Sequence, residues 1–182
     1  MKKKIYKEEI EIQENVEIIN DKGIILAKGP KGEVKKKLLN PKISIKIENK
    51  KILLQTNKLT KREKKWIGTF KAHIKNMSKG VTEGHVYKLK ICSGHFPMNV
   101  SVQKDQLTIK NFLGEKHPRT LKLDSNVKVK VEGTEIVVEG NDKDLVGKTS
   151  ASIEQLTRIV NRDLRIFQDG CYIISKSGKE MK

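Results

Sequence analysis

Apolar and polar residues alternate along most of this chain, and in two places the alternation gives way to a three-to-four-residue recurrence. Ile10 and Ile12, then Val16 and Ile18, mark short strands. Asp21-Lys22-Gly23 is a turn signal, and Ile24-Ile25-Leu26 follows as a strand. Gly29-Pro30-Lys31-Gly32 reads as a loop, since Gly and Pro interrupt helix and sheet alike. Val34 to Leu39 resumes the strand pattern. Ile43, Ile45 and Ile47 alternate cleanly, Asn49-Lys50 predicts a tight turn, and Ile52-Leu53-Leu54 returns to close a hairpin. From about Lys58 to Lys79 the period is helical. Thr60 and Glu63 have capping-box spacing, and Ile67, Phe70, Ile74 and Met77 form the apolar stripe. Gly80 to Gly84 is read as ending the helix and forming a linker.

The second half repeats this order. Tyr87 to Cys92 and Met98 to Val102 read as strands. Leu107 to Ile109 stands where Ile24 to Leu26 stood, and Asn111 to Glu115 where the Gly29 to Gly32 loop stood. Val127 to Glu132 overlays Ile43 to Glu48, and Ile136 to Val138 overlays Ile52 to Leu54, each 84 residues later. Asn141, with Asp144 three residues on, opens a second helix as Asn57 and Thr60 open the first. That period is too long for a solenoid and has the size of a small domain. The expected fold is therefore α+β: two tandem duplicated domains, 1–80 and 81–182, each an antiparallel β-sheet with one α-helix packed on one face.

The last stretch, Gly147 to Lys176, carries the densest pattern. Its first part reads as a helix through Ile159, followed by a basic turn and a short strand. Val146, Ile153, Leu156 and Val160 make an inward face. Gln155, Arg158 and Arg162 fall on another face, and Arg165 follows closely. Arginine offers a planar fork of donors suited to phosphate.

Charge gives that pattern a partner. The chain has 182 residues, with 39 Lys and Arg against 22 Asp and Glu, a net charge of +17. Such an excess points to a polyanion, nucleic acid before an acidic membrane surface. The lysines are spread along the whole chain, which favours an anionic environment over a single basic arm. Aromatic residues are 4%, too few for serial base stacking, so recognition by backbone and shape is expected. The two cysteines, Cys92 and Cys171, fit neither a disulfide framework nor a thiolate zinc site. The N-terminal MKKKIYKEEIEI lacks an apolar signal core and no run is long enough to span a membrane, so a soluble intracellular protein is expected.

Catalytic motifs fail on spacing. Gly147-Lys148-Thr149 suggests a P-loop, but the motif's first glycine falls at Asp142, and residues 142–146 already look helical. His73, His85, His95 and His117 are scattered, His73 as a partly buried helix residue and the others as loop residues. Cys92-Ser-Gly-His95 is the only close pair, short of the three or four ligands a metal requires. The acidic residues sit beside lysines, as solvated ion pairs do. No cofactor and no small-molecule substrate are expected. The basic runs at Lys31 to Lys37 and Lys61 to Lys65 read singly as solvated faces.

The spacing Gln155-xxx-Ile159-xx-Arg162-xx-Arg165-x-Phe167-x-Asp169-Gly170-x-Tyr172-Ile173-xx-Lys176 resembles the signature of large-subunit ribosomal protein six in its archaeal and eukaryotic form, protein nine in eukaryotic numbering. Cys171 departs from the family's usual aliphatic residue. Asn76 to Gly84, His95-Phe-Pro-Met-Asn99, Asn111 to Lys116 and Asp142 to Ser152 are similar to the same family. The resemblance implies two duplicated α+β domains and a structural, non-enzymatic role in the cytoplasmic ribosome. It implies binding of large-subunit rRNA chiefly through the second domain, near the sarcin–ricin loop and the stalk base. Neighbouring ribosomal proteins and translation factors would lie close by. The Lys- and Ile-rich composition suggests an archaeal source. On this reading Arg158, Arg162 and Arg165 reach phosphates, Lys116 and Arg119 add a second contact, and Lys148 and Thr149 use the helix start. Lys176 closes the motif, and Asp169-Gly170 fixes a turn rather than touching RNA. Two rivals stand beside this reading: a free-standing RNA-binding regulator using the same surface, and an enzyme of nucleic-acid metabolism, for which no carboxylate or metal cluster is apparent.

Overall fold

The computed structural model describes residues 6–13, 15–48, 51–57 and 60–181. The MKKK start, the Asn49-Lys50 turn and Lys58 lie outside the described residues. The chain divides into two compact units, Met1–Gly84 and His85–Lys182.

Among the described residues the first unit has six strands and one helix: β1 (Tyr6–Glu11), β2 (Glu17–Asp21), β3 (Ile24–Gly29), β4 (Gly32–Lys37), β5 (Ile43–Glu48), β6 (Lys51–Thr56) and α1 (Lys61–Thr82). The strands form two antiparallel sheets, β1-β6-β5 and β2-β3-β4. Alternation along the strands sends Ile10, Ile43, Ile52 and Leu54 inward from one sheet and Ile18, Ile25, Ala27 and Val34 inward from the other. Ile67, Phe70, Ile74 and Met77 of α1 close the same core. Thr60 is the N-cap residue as expected, but its hydroxyl bonds the Glu63 carboxylate rather than a backbone N–H, so the expected reciprocal capping box is not formed. The helix does not stop at Gly80. Val81 is fully buried in its last turn, so packing carries the helix through Thr82 and the unit ends after Gly84. The Gly29–Gly32 turn has a second purpose beyond breaking a strand. Lys31 N–H donates to the Val81 carbonyl at 3.0 Å, and a Cβ on Gly29 would stand 2.7 Å from that oxygen. The missing side chain lets the turn close over the helix end.

The second unit repeats the six strands and the helix: β7 (His85–Cys92), β8 (Asn99–Gln103), β9 (Gln106–Lys110), β10 (Arg119–Lys122), β11 (Val127–Glu132), β12 (Glu135–Gly140) and α2 (Lys143–Leu156). It then adds β13 (Gly170–Lys176) and β14 (Lys179–Glu180). Its sheets are β10-β9-β8 and β11-β12-β7-β13-β14. The duplication extends to register. Ile43 pairs with Thr56 and Ile47 with Ile52 in the first unit, and Val127 with Gly140 and Val131 with Ile136 in the second. Buried Leu107 and Ile109 correspond to Ile25 and Ala27, one step along from the match expected with Ile24 to Leu26, because Ile24 faces solvent. Each unit is thus α+β, with its strands split between two small sheets and its helix shared with the core.

His85 departs from its expected loop position. It is a buried β7 residue whose Nδ1 lies 3.0 Å from the Ser177 hydroxyl. The GKT segment also has a settled place. Asp142 caps α2, accepting from Asp144 N–H at 2.9 Å, so Gly147 lies within the helix, where an added Cβ would stand 3.7 Å from the Tyr87 ring. The segment lies inside a helix and so does not form a phosphate-binding loop. Among the described residues no helix is long and apolar enough to cross a membrane.

Candidate nucleic-acid interface

The arginines of the last stretch do not lie on the helix. α2 ends at Leu156, and side chains of its own cap and of a remote residue take its final carbonyls. The Thr157 hydroxyl donates to Glu154 O at 3.1 Å and accepts from Cys171 N–H at 2.9 Å. Arg119 Nη1 donates to Leu156 O at 2.6 Å. Partners for the helix end are therefore available without another helical turn. Ile159 turns inward, whereas Val160, expected on the inward face, is 68% exposed. Arg158, Arg162 and Arg165 stand on the loop from 158 to 169, and the helix face expected to carry Arg158 and Arg162 does not exist.

That loop is ordered from within. Asn161 adopts a left-handed φ of 59°. Asp163 then accepts from Arg165 N–H at 2.9 Å, and its carbonyl accepts from Phe167 N–H at 2.9 Å. The Arg165 guanidinium pairs with the same carboxylate at 2.7 Å, holding Asp163 below the usual carboxylate range, yet its side chain is 90% exposed. Arg162 lies over the Phe167 ring, 4.8 Å from its centroid. Arg158 is exposed, with Gln155, Leu164 and Phe167 lining the same shallow groove.

The far end of the loop is pinned by Asp169, which is 1% exposed. One oxygen accepts from Gly94 N–H at 2.6 Å and His95 N–H at 3.0 Å, and the other meets His95 Nδ1 at 2.6 Å. Burial alone raises this carboxyl's pKa, but the bonds from His95 and Gly94 outweigh it and hold the pKa below its ordinary value. The His95 ring stacks on Phe167 with centroids 4.6 Å apart. Asp169, His95, Phe167 and Arg162 thus form a continuous support under the loop.

Arg119 has a different role from the one expected. It is bidentate to Glu115 at 2.8 and 2.5 Å, lies 4.2 Å above the Phe112 ring and caps α2 through Leu156 O. Its guanidinium is engaged on all sides and holds Glu115 below the usual carboxylate range. It braces the eight-residue loop between β9 and β10, which replaces the two-residue turn of the first unit and exposes Lys116. Lys148 and Thr149 also differ from expectation. They lie in the second turn of α2, where backbone N–H groups are bonded within the helix. Thr149 is buried, and exposed Lys148 shares a groove with Lys122 and Asp124, about 12 Å along α2 from the arginine loop. Lys176 ends β13 roughly 20 Å from Gly170, paired in register with Tyr87. The eight expected residues therefore divide. Lys116, Arg158, Arg162 and Arg165 present charge on loops, Arg119 supports them, and Lys148, Thr149 and Lys176 stand apart.

The supports Phe112, Glu115 and His95 and the basic residue Lys122 are not legible in the sequence as parts of this site. The four-residue spacing of Glu115 and Arg119 was the one local signal for them. Guanidinium groups held over aromatic faces can meet phosphates and unstacked bases without losing much side-chain freedom on binding. Among the described residues no group of three His, Cys, Asp or Glu could hold a metal ion.

Sequence comparison accounts for both units. The profile of the family described as Ribosomal protein L6 matches residues 10–84 and again residues 96–170. The Large ribosomal subunit protein uL6 of Methanobrevibacter smithii is 48% identical over 170 residues, covering 93% of this chain and 96% of that protein. The protein of the same name from Methanococcus vannielii is 46% identical over 176 residues, covering 96% of each chain. The chain belongs to the ribosomal protein L6 family, with one copy of the family's domain in each unit.

Proposed function

We propose that this protein is a structural constituent of the large subunit of the cytoplasmic ribosome, without enzymatic activity, and that it binds large-subunit rRNA through its second unit. Its relatives carry the large-subunit name over nearly their full length, which supports the assembly. The observation that carries the binding surface is the arginine loop: three exposed arginines on a segment fixed at one end by Thr157 and at the other by buried Asp169. Arg158 and Arg162 are the principal phosphate contacts, Arg165 exchanges its Asp163 pairing for RNA, and Lys116 contacts the backbone from the adjacent loop. Recognition is by shape and charge, with affinity falling steeply in salt. The resemblance in the loop motif favours a site near the sarcin–ricin loop and stalk base, beside neighbouring ribosomal proteins and the docking region of translation factors.

The test replaces Arg162 and Arg165 with Ala and lets the variant compete with wild type for entry into large subunits. The variant is expected to keep a native circular dichroism spectrum and be under-represented in the subunit pool. Equal incorporation, or loss of the folded spectrum, overturns the assignment. Sedimentation away from the large subunit at moderate salt would instead favour a free-standing regulator.

A further inference from the structure

The two copies carry their charge very differently. Residues 1–84 hold 22 Lys and Arg against 10 Asp and Glu, and residues 85–182 hold 17 against 12. The unit without the arginine loop is therefore the more basic one. Much of the difference lies on the helices. The exposed residues of α2 are Asp144, Lys148 and Gln155, with no net charge. On α1, Lys61, Lys65, Gly68, Ala72, Lys75 and Lys79 fall at helical spacing along one exposed stripe. Lys61, Lys65 and Lys75 have no ion-pair partner among the described residues, and Lys79 has only Glu83, 3.6 Å away. Gly68 and Ala72 leave a low saddle between the lysine pairs, and a Cβ on Gly68 would meet nothing within 4 Å. The centres of the pairs are about 21 Å apart along the helix.

We propose that this face of α1, with lysine pairs on either side of a small-residue saddle, is a second RNA-backbone contact, separate from the arginine loop. The saddle has charge at both ends and no large apolar side chain at its centre. That suits the regular phosphates of an RNA backbone, whereas a docked acidic protein segment would need apolar anchors. Trp66 stands on the neighbouring flank, 41% exposed and edge-on to Phe70 with ring centroids 5.9 Å apart. It is the only tryptophan of the chain and so a direct optical reporter of this face. The choice of RNA as ligand rests on the proposed ribosomal role.

The full-length protein is made with a diazirine-bearing residue at Gly68 or, separately, at exposed Leu164 on the arginine loop, and irradiated in cells. Crosslinking of RNA at position 68 is expected. If position 68 captures only protein, or nothing, while position 164 captures rRNA, the second contact is refuted and the ribosomal role stands. If neither captures RNA, both fail. In vitro, titration with a 20-base-pair RNA duplex is expected to change Trp66 emission. Changing Lys61, Lys65, Lys75 and Lys79 together to Gln, which keeps helix propensity, should flatten the slope of log affinity against log salt by about 3. An unchanged slope and Trp66 response in a variant with native circular dichroism overturns the proposal.

Discussion

Arg119 can be tested as a brace rather than a ligand contact by removing it. Arg119→Ala deletes a charge-assisted hydrogen bond to Leu156 O, about 1.5–3 kcal/mol. It deletes the guanidinium contact with Phe112, about 0.5–1 kcal/mol. The Glu115 pair, about a third open to solvent, adds at most about 1 kcal/mol. Water can reach part of the vacated site, so the total is taken as about 3 kcal/mol. In a unit of about 100 residues that lowers the melting midpoint by roughly 12–24 °C. Hydrogen exchange followed by mass spectrometry on the α2 and β10 peptides measures this locally, with Trp66 emission as a control in the other unit. Arg119→Lys keeps the charge but not the fork, and should recover only about 1 kcal/mol. At a temperature where both variants remain folded, the salt slope of RNA binding should match wild type, whereas Arg162→Ala should lower it by about one phosphate. The bracing role is refuted if Arg119→Ala leaves α2 protection within about 0.5 kcal/mol of wild type and lowers the salt slope instead.

Further outcomes follow from two buried groups. Folding lowers the pKa of Asp169, so its contribution is fully present above the unfolded carboxyl value of about 3.9 and is lost as pH falls through the lower folded value. Acid titration should therefore release the Gly94 and His95 amides to exchange below about pH 4, and Asp169→Ala should release them at neutral pH with a loss of about 3 kcal/mol. Amide exchange at those two positions checks both, and full protection in the Ala variant would exclude the anchor. Cys171 is fully buried, and burial pushes its thiol up to about 11. At pH 8 a thiol reagent should modify Cys92 alone, with Cys171 reacting only in denaturant. Rapid modification of both would show that β13 is not packed as described.

The sequence by itself determined the duplication, the order of strands and helices and most of the core. These follow from periodicity, since a residue's place in a strand or helix fixes which face it buries, and that pattern is local. Ile43 to Ile47 and Val127 to Val131 could be matched 84 residues apart because both are strands with one buried side. The basic character of the last stretch was equally legible. The exact placing of its charges was not. The spacing of Arg158 and Arg162 fits a helix, but α2 ends at Leu156 because Arg119 and Thr157 take its last carbonyls, and Thr157 in turn caps the start of β13. Likewise Asp169 and His95 meet across 74 residues of chain, and nothing in either neighbourhood points to the other. Tertiary contacts alone decided which arginines are presented and which one supports them, because a helix end and a buried carboxylate are settled by partners that only the folded chain brings near.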